Sequence, residues 1–295
     1  MRQPHPINSL SRKLALLSFL FSFFIAQTTY DLAAQSPIQV KQGEIVSLTL
    51  SLKDPVDSAV GKFLNHEIYF YETGDKRYAA LLGIDLDQAP GAHSMEVTWK
   101  RGETVGTERY LIDVVQASFR TETESLTLPK GMVDLDPPTL ARVEKEQKRQ
   151  KEIFDASIPR KLWEGHFVAP VEGKIAGTFG LRRLMNGQPR SPHTGEDIKA
   201  PEGTPVVASN TGKVILVGNF YFNGHAVIID HGLGLFSMYF HLLNTTVKEG
   251  ETVKKGDPIG AVGHSGRATG PHLHWGVRLN GARVNPFSLI GKNLG

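Results

Sequence analysis

Short runs of alternating apolar and polar residues, separated by turns, constrain this sequence more than any other feature. Between 46 and 52 the chain reads VSLTLSL, and similar runs reach Trp99 and Val114. Because successive side chains of a strand point to opposite faces, each run predicts a half-buried β-strand. Turn residues such as Asp54-Pro55 and Pro90-Gly91 separate the runs at short intervals. The pattern predicts an all-β fold that begins with a small immunoglobulin-like β-sandwich over residues 36–118.

The middle of the sequence has a helical pattern between two regions with a β pattern. Asp136 is a good helix cap, prolines occupy the first helical positions, and residues 140–154 are rich in Glu, Lys, Gln and Arg. These features predict a linker over 119–166 that contains one helix. Its basic run at 148–151 fits the solvated face of a helix, although contact with an anionic polymer is an alternative. From 167 to 290, glycine-bounded apolar runs predict a second β domain.

The N-terminus has the pattern of an export signal. Arg2, Arg12 and Lys13 precede the apolar run 14–26, and small residues follow as far as Ala34. This order predicts a secretory signal peptide over residues 1–34. The apolar run is shorter than the ~20 residues that span a bilayer, so we expect cleavage and no stable membrane anchor afterwards. The mature protein is expected in the periplasm or, alternatively, outside the cell.

Composition narrows the class of protein further. The chain has no cysteine, which rules out lipoprotein attachment and implies an exported protein that folds without disulfides. Its formal net charge of +3 suits an anionic envelope polymer but is too small to indicate nucleic-acid binding. The oligomeric state is left open.

The last third of the chain concentrates residues that bind zinc. His193-Thr-Gly-Glu-Asp197 is followed by His241 and then by His272-Leu-His274. Imidazole nitrogen and carboxylate oxygen both coordinate zinc, and a catalytic zinc keeps an open position for water. Strand geometry would direct His272 and His274 to one face. Thr194 and Gly195 favour a tight turn that lets His193 and Asp197 converge.

Five motifs in order give the second β domain a resemblance to a known family. From about 167 to 286 the sequence resembles the lysostaphin/LytM-type (beta-lytic) zinc metallopeptidases, which cut peptide bonds in bacterial peptidoglycan. The matching stretches are Thr178–Arg183, His193–Pro205, Met238–Leu242, Val253–Gly260 and Gly270–His274. The resemblance implies an antiparallel β peptidase domain with a groove, preceded in some exported members by β-sandwich modules.

The resemblance also implies roles for individual residues. It assigns one zinc ion per chain to His193, Asp197 and His274, and proton and oxyanion chemistry to His241 and His272. It leaves open which histidine is the general base. The implied function is a zinc-dependent endopeptidase whose substrate is peptidoglycan, acting on its cross-links or stem peptides.

Several alternatives stay open at this point. Some relatives have lost zinc ligands and activate a partner cell-wall amidase, but this sequence keeps the whole set. A structural wall-binding protein is a further alternative. Gly263-His-Ser-Gly266 resembles part of a serine nucleophile elbow but lacks its final glycine and the helix that should follow. The segment before His193 could also cover the groove, with Asn186 at the open position of zinc.

Overall fold

Two β-sheets pack face to face at the start of the described chain. The computed structural model describes residues 36–126, 135–185, 188–189 and 191–291, so the predicted signal peptide lies outside it. The strands of the two sheets are β1 (Ile38–Lys41), β2 (Ile45–Ser51), β3 (Ser58–Phe63), β4 (His66–Tyr69), β5 (Tyr71–Gly74), β6 (Arg77–Gly83), β7 (Gly91–Arg101) and β8 (Thr104–Val115). The sheet orders are β1-β8-β7-β3-β4 and β2-β6-β5.

The alternation in the sequence explains this sandwich. In β2, Leu48 and Leu50 are buried whereas Ser47 is exposed. Ile112 and Val114 of β8 are buried in the same core from the opposite sheet. The strands are therefore apolar on the face that meets the other sheet. The prediction of an all-β fold is confirmed, and the immunoglobulin-like assignment stays a prediction.

The segment between the two β regions contains a strand and a helix. β9 (Thr121–Leu126) precedes α1 (Pro137–Phe154). The helix matches the predicted one, and its cap Asp136 accepts a hydrogen bond from the backbone N–H of Thr139 at 2.8 Å. The sequence pattern did not indicate β9. Its partner is a strand of the second β region.

The second β region forms a large antiparallel sheet and a small three-stranded one. Its strands are β10 (Lys174–Ile175), β11 (Arg182–Met185), β12 (Gln188–Pro189), β13 (Gly195–Lys199), β14 (Pro205–Val207), β15 (Gly212–Phe220), β16 (Gly224–Gly232), β17 (Leu235–Thr245), β18 (Thr252–Val253), β19 (Pro258–Val262), β20 (Leu273–Leu279) and β21 (Ala282–Val284), followed by a 3-10 helix, Pro286–Leu289. The large sheet has the order β10-β13-β20-β17-β16-β15-β18, with β19 and β21 pairing to β17 and β20. In the small sheet β11 pairs with both β12 and β9.

The two β regions share apolar packing. Ile45, Tyr71 and Leu81 of the sandwich belong to the same buried core as Trp163 and Phe167. Residues 36–291 accordingly lie in a single compact unit. The domain boundaries given above stay predictions. Among the described residues, no helix has the length and apolar composition needed to cross a membrane.

Candidate metal centre

Strand register brings two distant residues of the candidate site side by side. Asp197 of β13 is the direct partner of His274 of β20. On its other side His274 is paired with Phe240 of β17, whose ring stacks on the imidazole at 5.5 Å between centroids. Directly opposed residues of neighbouring strands have their Cβ atoms within ~5.5 Å. The pairing therefore makes Asp197 and His274 neighbours despite their separation along the chain.

His193 completes a cluster of three candidate ligand atoms. The Nδ1 atom of His274 is 3.0 Å from Nε2 of His193 and 3.1 Å from Oδ1 of Asp197. The remaining distance, from His193 Nε2 to Asp197 Oδ1, is 3.3 Å. Ligand atoms at about 2.0–2.1 Å from a tetrahedral zinc ion are separated by about 3.3–3.4 Å from each other. The spacing of the three atoms fits a shared ion.

The predicted tight turn between His193 and Asp197 is wrong. Residues 195–199 form the strand β13, and His193 reaches the cluster from the segment just before it. Glycine is needed at position 195 for a steric reason and not to form a turn. A Cβ at this position would lie 2.5 Å from Nε2 of His274, so only glycine leaves room for that ring.

The protonation states around the cluster suit metal binding. Burial would raise the pKa of the Asp197 carboxyl, but its close contacts with the imidazoles of His193 and His274 outweigh burial and hold the pKa well below its usual range. Burial also lowers the pKa of His274, which keeps the imidazole neutral. Metal ligands must be ionised carboxylates and neutral imidazoles.

Thr178 supports the cluster although sequence reasoning gave it no role. Its carbonyl accepts a hydrogen bond from Nδ1 of His193 at 3.2 Å, which leaves Nε2 as the lone-pair atom facing the cluster. Its hydroxyl accepts from the backbone N–H of Asp197 at 3.0 Å and donates to the buried carboxylate of Glu196 at 3.1 Å. The only sequence signal was the position of Thr178 at the start of a family motif.

His241 lies beside the cluster because β17 contains a bulge. The residues between Tyr239 and Leu242 face a stretch of β16 that is one residue shorter, between Val227 and His225. The extra residue lets Phe240 and His241 both approach His274, which strict alternation would prevent. His241 adopts a left-handed backbone with φ of 62°, an unfavourable conformation for a residue with a side chain.

The imidazole of His241 is oriented and neutral. Its Nδ1 atom lies 2.8 Å from the carbonyl oxygen of Ser265 and donates its proton there. Nε2 is therefore the atom with the lone pair. Burial, followed by the nearby His274, lowers the pKa of His241 to about 3.

The imidazole of His272 is also oriented by a hydrogen bond to a backbone carbonyl. Its Nδ1 atom is 2.8 Å from the carbonyl of Gly270, and its Nε2 atom is 3.7 Å from Oδ1 of Asp197. The rings of His241 and His272 are 4.9 Å apart. The structure thus brings together all five residues named from the sequence. Their roles as ligands and proton carriers stay predictions.

The cluster opens into a cavity of about 360 Å3. The described residues that line it include His193, His241 and His274 together with Phe222 and Arg267. This volume is within the range of sites that bind small molecules or part of a peptide. Asn186, the residue suggested to cover the open metal position, lies outside the described residues.

Other candidate groups have structural partners. Ser265, in the segment that resembled a nucleophile elbow, donates its hydroxyl hydrogen to the carbonyl of Leu242 at 2.7 Å. The fully buried His231 lies near the end of β16, with its ring nitrogens 2.8 Å from the Thr211 carbonyl and 2.7 Å from the Ser237 hydroxyl. The exposed His264 contacts Glu202. These contacts account for the side chains without any catalytic role.

Comparisons with known proteins identify the family that the second β region resembles. A model of peptidase family M23 matches residues 191–286. The chain is similar to the peptidoglycan DD-endopeptidase ShyA of Vibrio cholerae, with 41% identity over 39% of this chain and 28% of that protein. It is also similar to the DD-carboxypeptidase/endopeptidase Mpg of Neisseria meningitidis, with 43% identity over 39% of this chain and 27% of that protein. The chain thus spans about a quarter of the length of these curated relatives.

One solved structure extends the similarity beyond the second β region. A Pseudomonas aeruginosa protein, described as a peptidase M23, aligns with a TM-score of 0.66 and 31% identity. The alignment covers 87% of this chain and 96% of that chain. It therefore extends well beyond residues 191–286, the part of the chain that the family model matches.

Proposed function

The chain belongs to peptidase family M23, and from that premise we propose that it is a zinc-dependent endopeptidase that hydrolyses peptide cross-links or stem peptides of bacterial peptidoglycan. One observation carries the proposal. His193, Asp197 and His274 present three ligand atoms at zinc spacing, and two further oriented histidines lie beside them.

The three clustered side chains would hold a single zinc ion. They offer two imidazole nitrogens and one carboxylate oxygen, a donor set that zinc accepts readily. When bound, zinc lowers the pKa of a water molecule to about 7 and polarises the carbonyl of the scissile bond. Thr178 keeps the His193 ring in the tautomer that ligation requires.

His241 and His272 would carry the proton during hydrolysis. In both rings the Nδ1–H group donates a hydrogen bond to a backbone carbonyl. The other ring nitrogen, Nε2, therefore points away from that carbonyl and is the atom that can accept a proton in the neutral ring. A neutral ring held in this way would accept a proton at Nε2, and it would become a donor for the oxyanion or the leaving amine only after that step. This order suits attack by water followed by protonation of the amine.

The substrate and the location are part of the same proposal. ShyA and Mpg are named as enzymes that cut DD peptide bonds. We infer a DD cross-link as the bond and the periplasm as the place of action. Activation of a partner amidase is not favoured, because the ligand set is complete and its geometry fits zinc.

The test is digestion of purified peptidoglycan by the mature protein and by the variants His193→Ala and His93→Ala. Products are identified by mass spectrometry, and bound zinc is measured in each protein. His93 is a matched control because it lies in the sandwich on β7. We expect cross-link cleavage by the wild type and by His93→Ala, and loss of both zinc and products in His193→Ala.

Two results would contradict the proposal. Absence of zinc from the wild-type protein would rule out the zinc-dependent mechanism. Zinc binding without any peptidoglycan product would exclude this substrate.

A further inference from the structure

The linker helix α1 contacts a loop that forms part of the wall of the cavity. This loop, residues 221–223, joins β15 to β16, and its residues Phe222 and Asn223 line the cavity. The helix itself lies outside the segment 191–286 that the family model matches. It therefore supplies contacts to the candidate site that the family motifs do not describe.

Glu146 of α1 holds this loop by its backbone. One carboxylate oxygen of Glu146 accepts the backbone N–H of Tyr221 at 2.8 Å, and the other accepts Nε–H of Arg142 at 2.7 Å. Arg142 also donates from Nη2 to the carbonyl of Asn219 at 3.1 Å. The side chain of Glu146 is only 17% exposed. Because a hydrogen bond to an ionised carboxylate is stronger than one between neutral groups, this contact is well suited to fix the loop.

The helix is also fixed to the large sheet at its other end. The ring of Phe154 packs edge-on against Phe236 of β17, with 5.2 Å between ring centres. Phe154 also packs against the apolar cluster that includes Phe240, whose ring stacks on His274. A helix docked in this way gives Glu146 a fixed base.

The opposite side of the loop holds His241. The carbonyl of Asn223 accepts the backbone N–H of His241 at 2.8 Å. The backbone N–H of His225 donates to the Ser265 hydroxyl at 2.8 Å, and the Ser265 carbonyl accepts the Nδ1 hydrogen bond of His241. The left-handed backbone of His241, with φ of 62°, persists only where surrounding contacts enforce it. The loop therefore affects both the backbone and the ring of His241.

We propose that Glu146 is a positioning residue for His241, which it holds in place through the loop 221–223. The inference rests on the proposed endopeptidase function and deepens it. Glu146 is not among the described residues that line the cavity, so it acts through the loop and not on the substrate. A displacement of a proton carrier by about 1 Å is enough to lower a rate by ~100-fold.

The experiment compares Glu146→Ala, which removes the acceptor, with Glu146→Gln, which keeps a carbonyl oxygen. Glu152→Ala is the matched control, because Glu152 lies on the same helix with a side chain that is 65% exposed. Hydrogen exchange of the backbone amides of His241 and Ser237 is measured by NMR in each zinc-loaded protein. Ser237 lies on the same strand, β17, and is the internal reference. Values of kcat and KM are measured with a soluble cross-linked peptide from peptidoglycan.

We expect Glu146→Ala to accelerate exchange at His241 by about 10- to 100-fold relative to Ser237, as for the loss of a hydrogen bond to a charged group. The value of kcat should fall by about 10- to 100-fold while KM stays within about twofold, because the change displaces a proton carrier. Glu146→Gln should recover part of both effects, and Glu152→Ala should behave as the wild type does.

Three results would overturn the inference. These are unchanged exchange at His241 in Glu146→Ala, exchange that rises equally at Ser237, and an unchanged kcat despite faster exchange at His241. The second result would show a loss of overall stability only, since global unfolding exposes both amides.

The exchange measurement separates this inference from the proposed activity. If the wild type cleaved no cross-linked peptide, the endopeptidase proposal would be in error, and exchange at His241 would still decide whether Glu146 holds it. If Glu146→Ala did not fold, Arg142→Met would replace it, because Arg142 orients the Glu146 carboxylate. Equal exchange at His241 in Arg142→Met and the wild type would then overturn the inference.

Discussion

Thr178 supports two of the three candidate zinc ligands at once. Its carbonyl fixes the ring of His193, and its hydroxyl holds the backbone of Asp197. The hydroxyl also contacts Glu196, a buried carboxylate that accepts the backbone N–H of Thr178 as well. Ligand orientation therefore depends on a residue that does not itself lie in the ligand set.

Replacing Thr178 with valine tests this dependence, because valine keeps the shape and removes only the hydroxyl. We expect zinc affinity to fall by about 10- to 100-fold, the usual effect of removing a group that orients a metal ligand. The measurement is competition with a chromophoric chelator. Thr252→Val, on the exposed position of β18, is the control and should bind zinc as the wild type does. Equal affinity in both variants would show that the hydroxyl is dispensable.

At the scale of elements, the strand β9 supports the wall of the candidate site. It pairs in parallel with β11, and Phe119 just before it packs against Phe179 with ring centres 5.9 Å apart. The residues between Phe179 and β11 are hydrogen bonded to His193, since the N–H of Gly180 donates to the His193 carbonyl at 2.8 Å. The segment that leaves the sandwich is thus connected to His193, a candidate zinc ligand, through one short stretch of chain.

Phe119→Ala should loosen this connection. We expect a loss of about 1–2 kcal/mol in the free energy of unfolding, less than for a fully buried phenylalanine, and faster hydrogen exchange at the amides of Gly180 and His193. Phe70→Ala is the control, because Phe70 is also partly buried but lies in the sandwich core. It should lower the free energy of unfolding by a similar amount without changing the hydrogen-exchange rates of those two amides. Identical hydrogen exchange at these two amides in both variants would show that Phe119 does not stabilise this segment.

At the scale of the whole molecule, an ion pair joins the two β regions beside their shared core. Arg283 of β21 donates from Nε and Nη2 to the carboxylate of Asp85 at 2.9 and 2.6 Å. Both side chains are only 25% exposed. Burial would raise the pKa of Asp85, but the hydrogen bonds from Arg283 outweigh it and the pKa is lowered. Such a bidentate pair contributes more than an ordinary surface pair.

The lowered pKa predicts how this contribution varies with pH. A carboxyl group with a folded pKa below its unfolded value stabilises the protein fully above about pH 4, and the contribution is lost as the pH falls through the folded pKa. Asp85→Asn should therefore cost about 1–3 kcal/mol in unfolding free energy at pH 7, and less at each lower pH below about 4.

Denaturant unfolding across this pH range provides the measurement. Asp75→Asn is the control, because the Asp75 side chain is 90% exposed in its pair with Arg77. It should change stability by less than about 0.5 kcal/mol throughout. A cost for Asp85→Asn that did not vary with pH would contradict the assignment.

Local patterns in the sequence determined the class of structure and the identity of the candidate residues. Alternation at 46–52 predicted a strand because a strand turns every second side chain to one face. The helix start at Asp136 was predictable because a cap involves only neighbouring residues. The family resemblance, which the comparisons confirm, also depended on short motifs.

Tertiary structure decided how those residues meet. The pairing of Asp197 with His274, the bulge that places His241 beside them and the attachment of β9 to β11 all depend on strands that are distant along the chain. Register and bulges are set by packing across the sheet, and one residue of shift reverses which face a side chain occupies. A strand at 195–199 stands where a turn was expected, for the same reason. Gly195 is required there by the ring of His274, which comes from another strand.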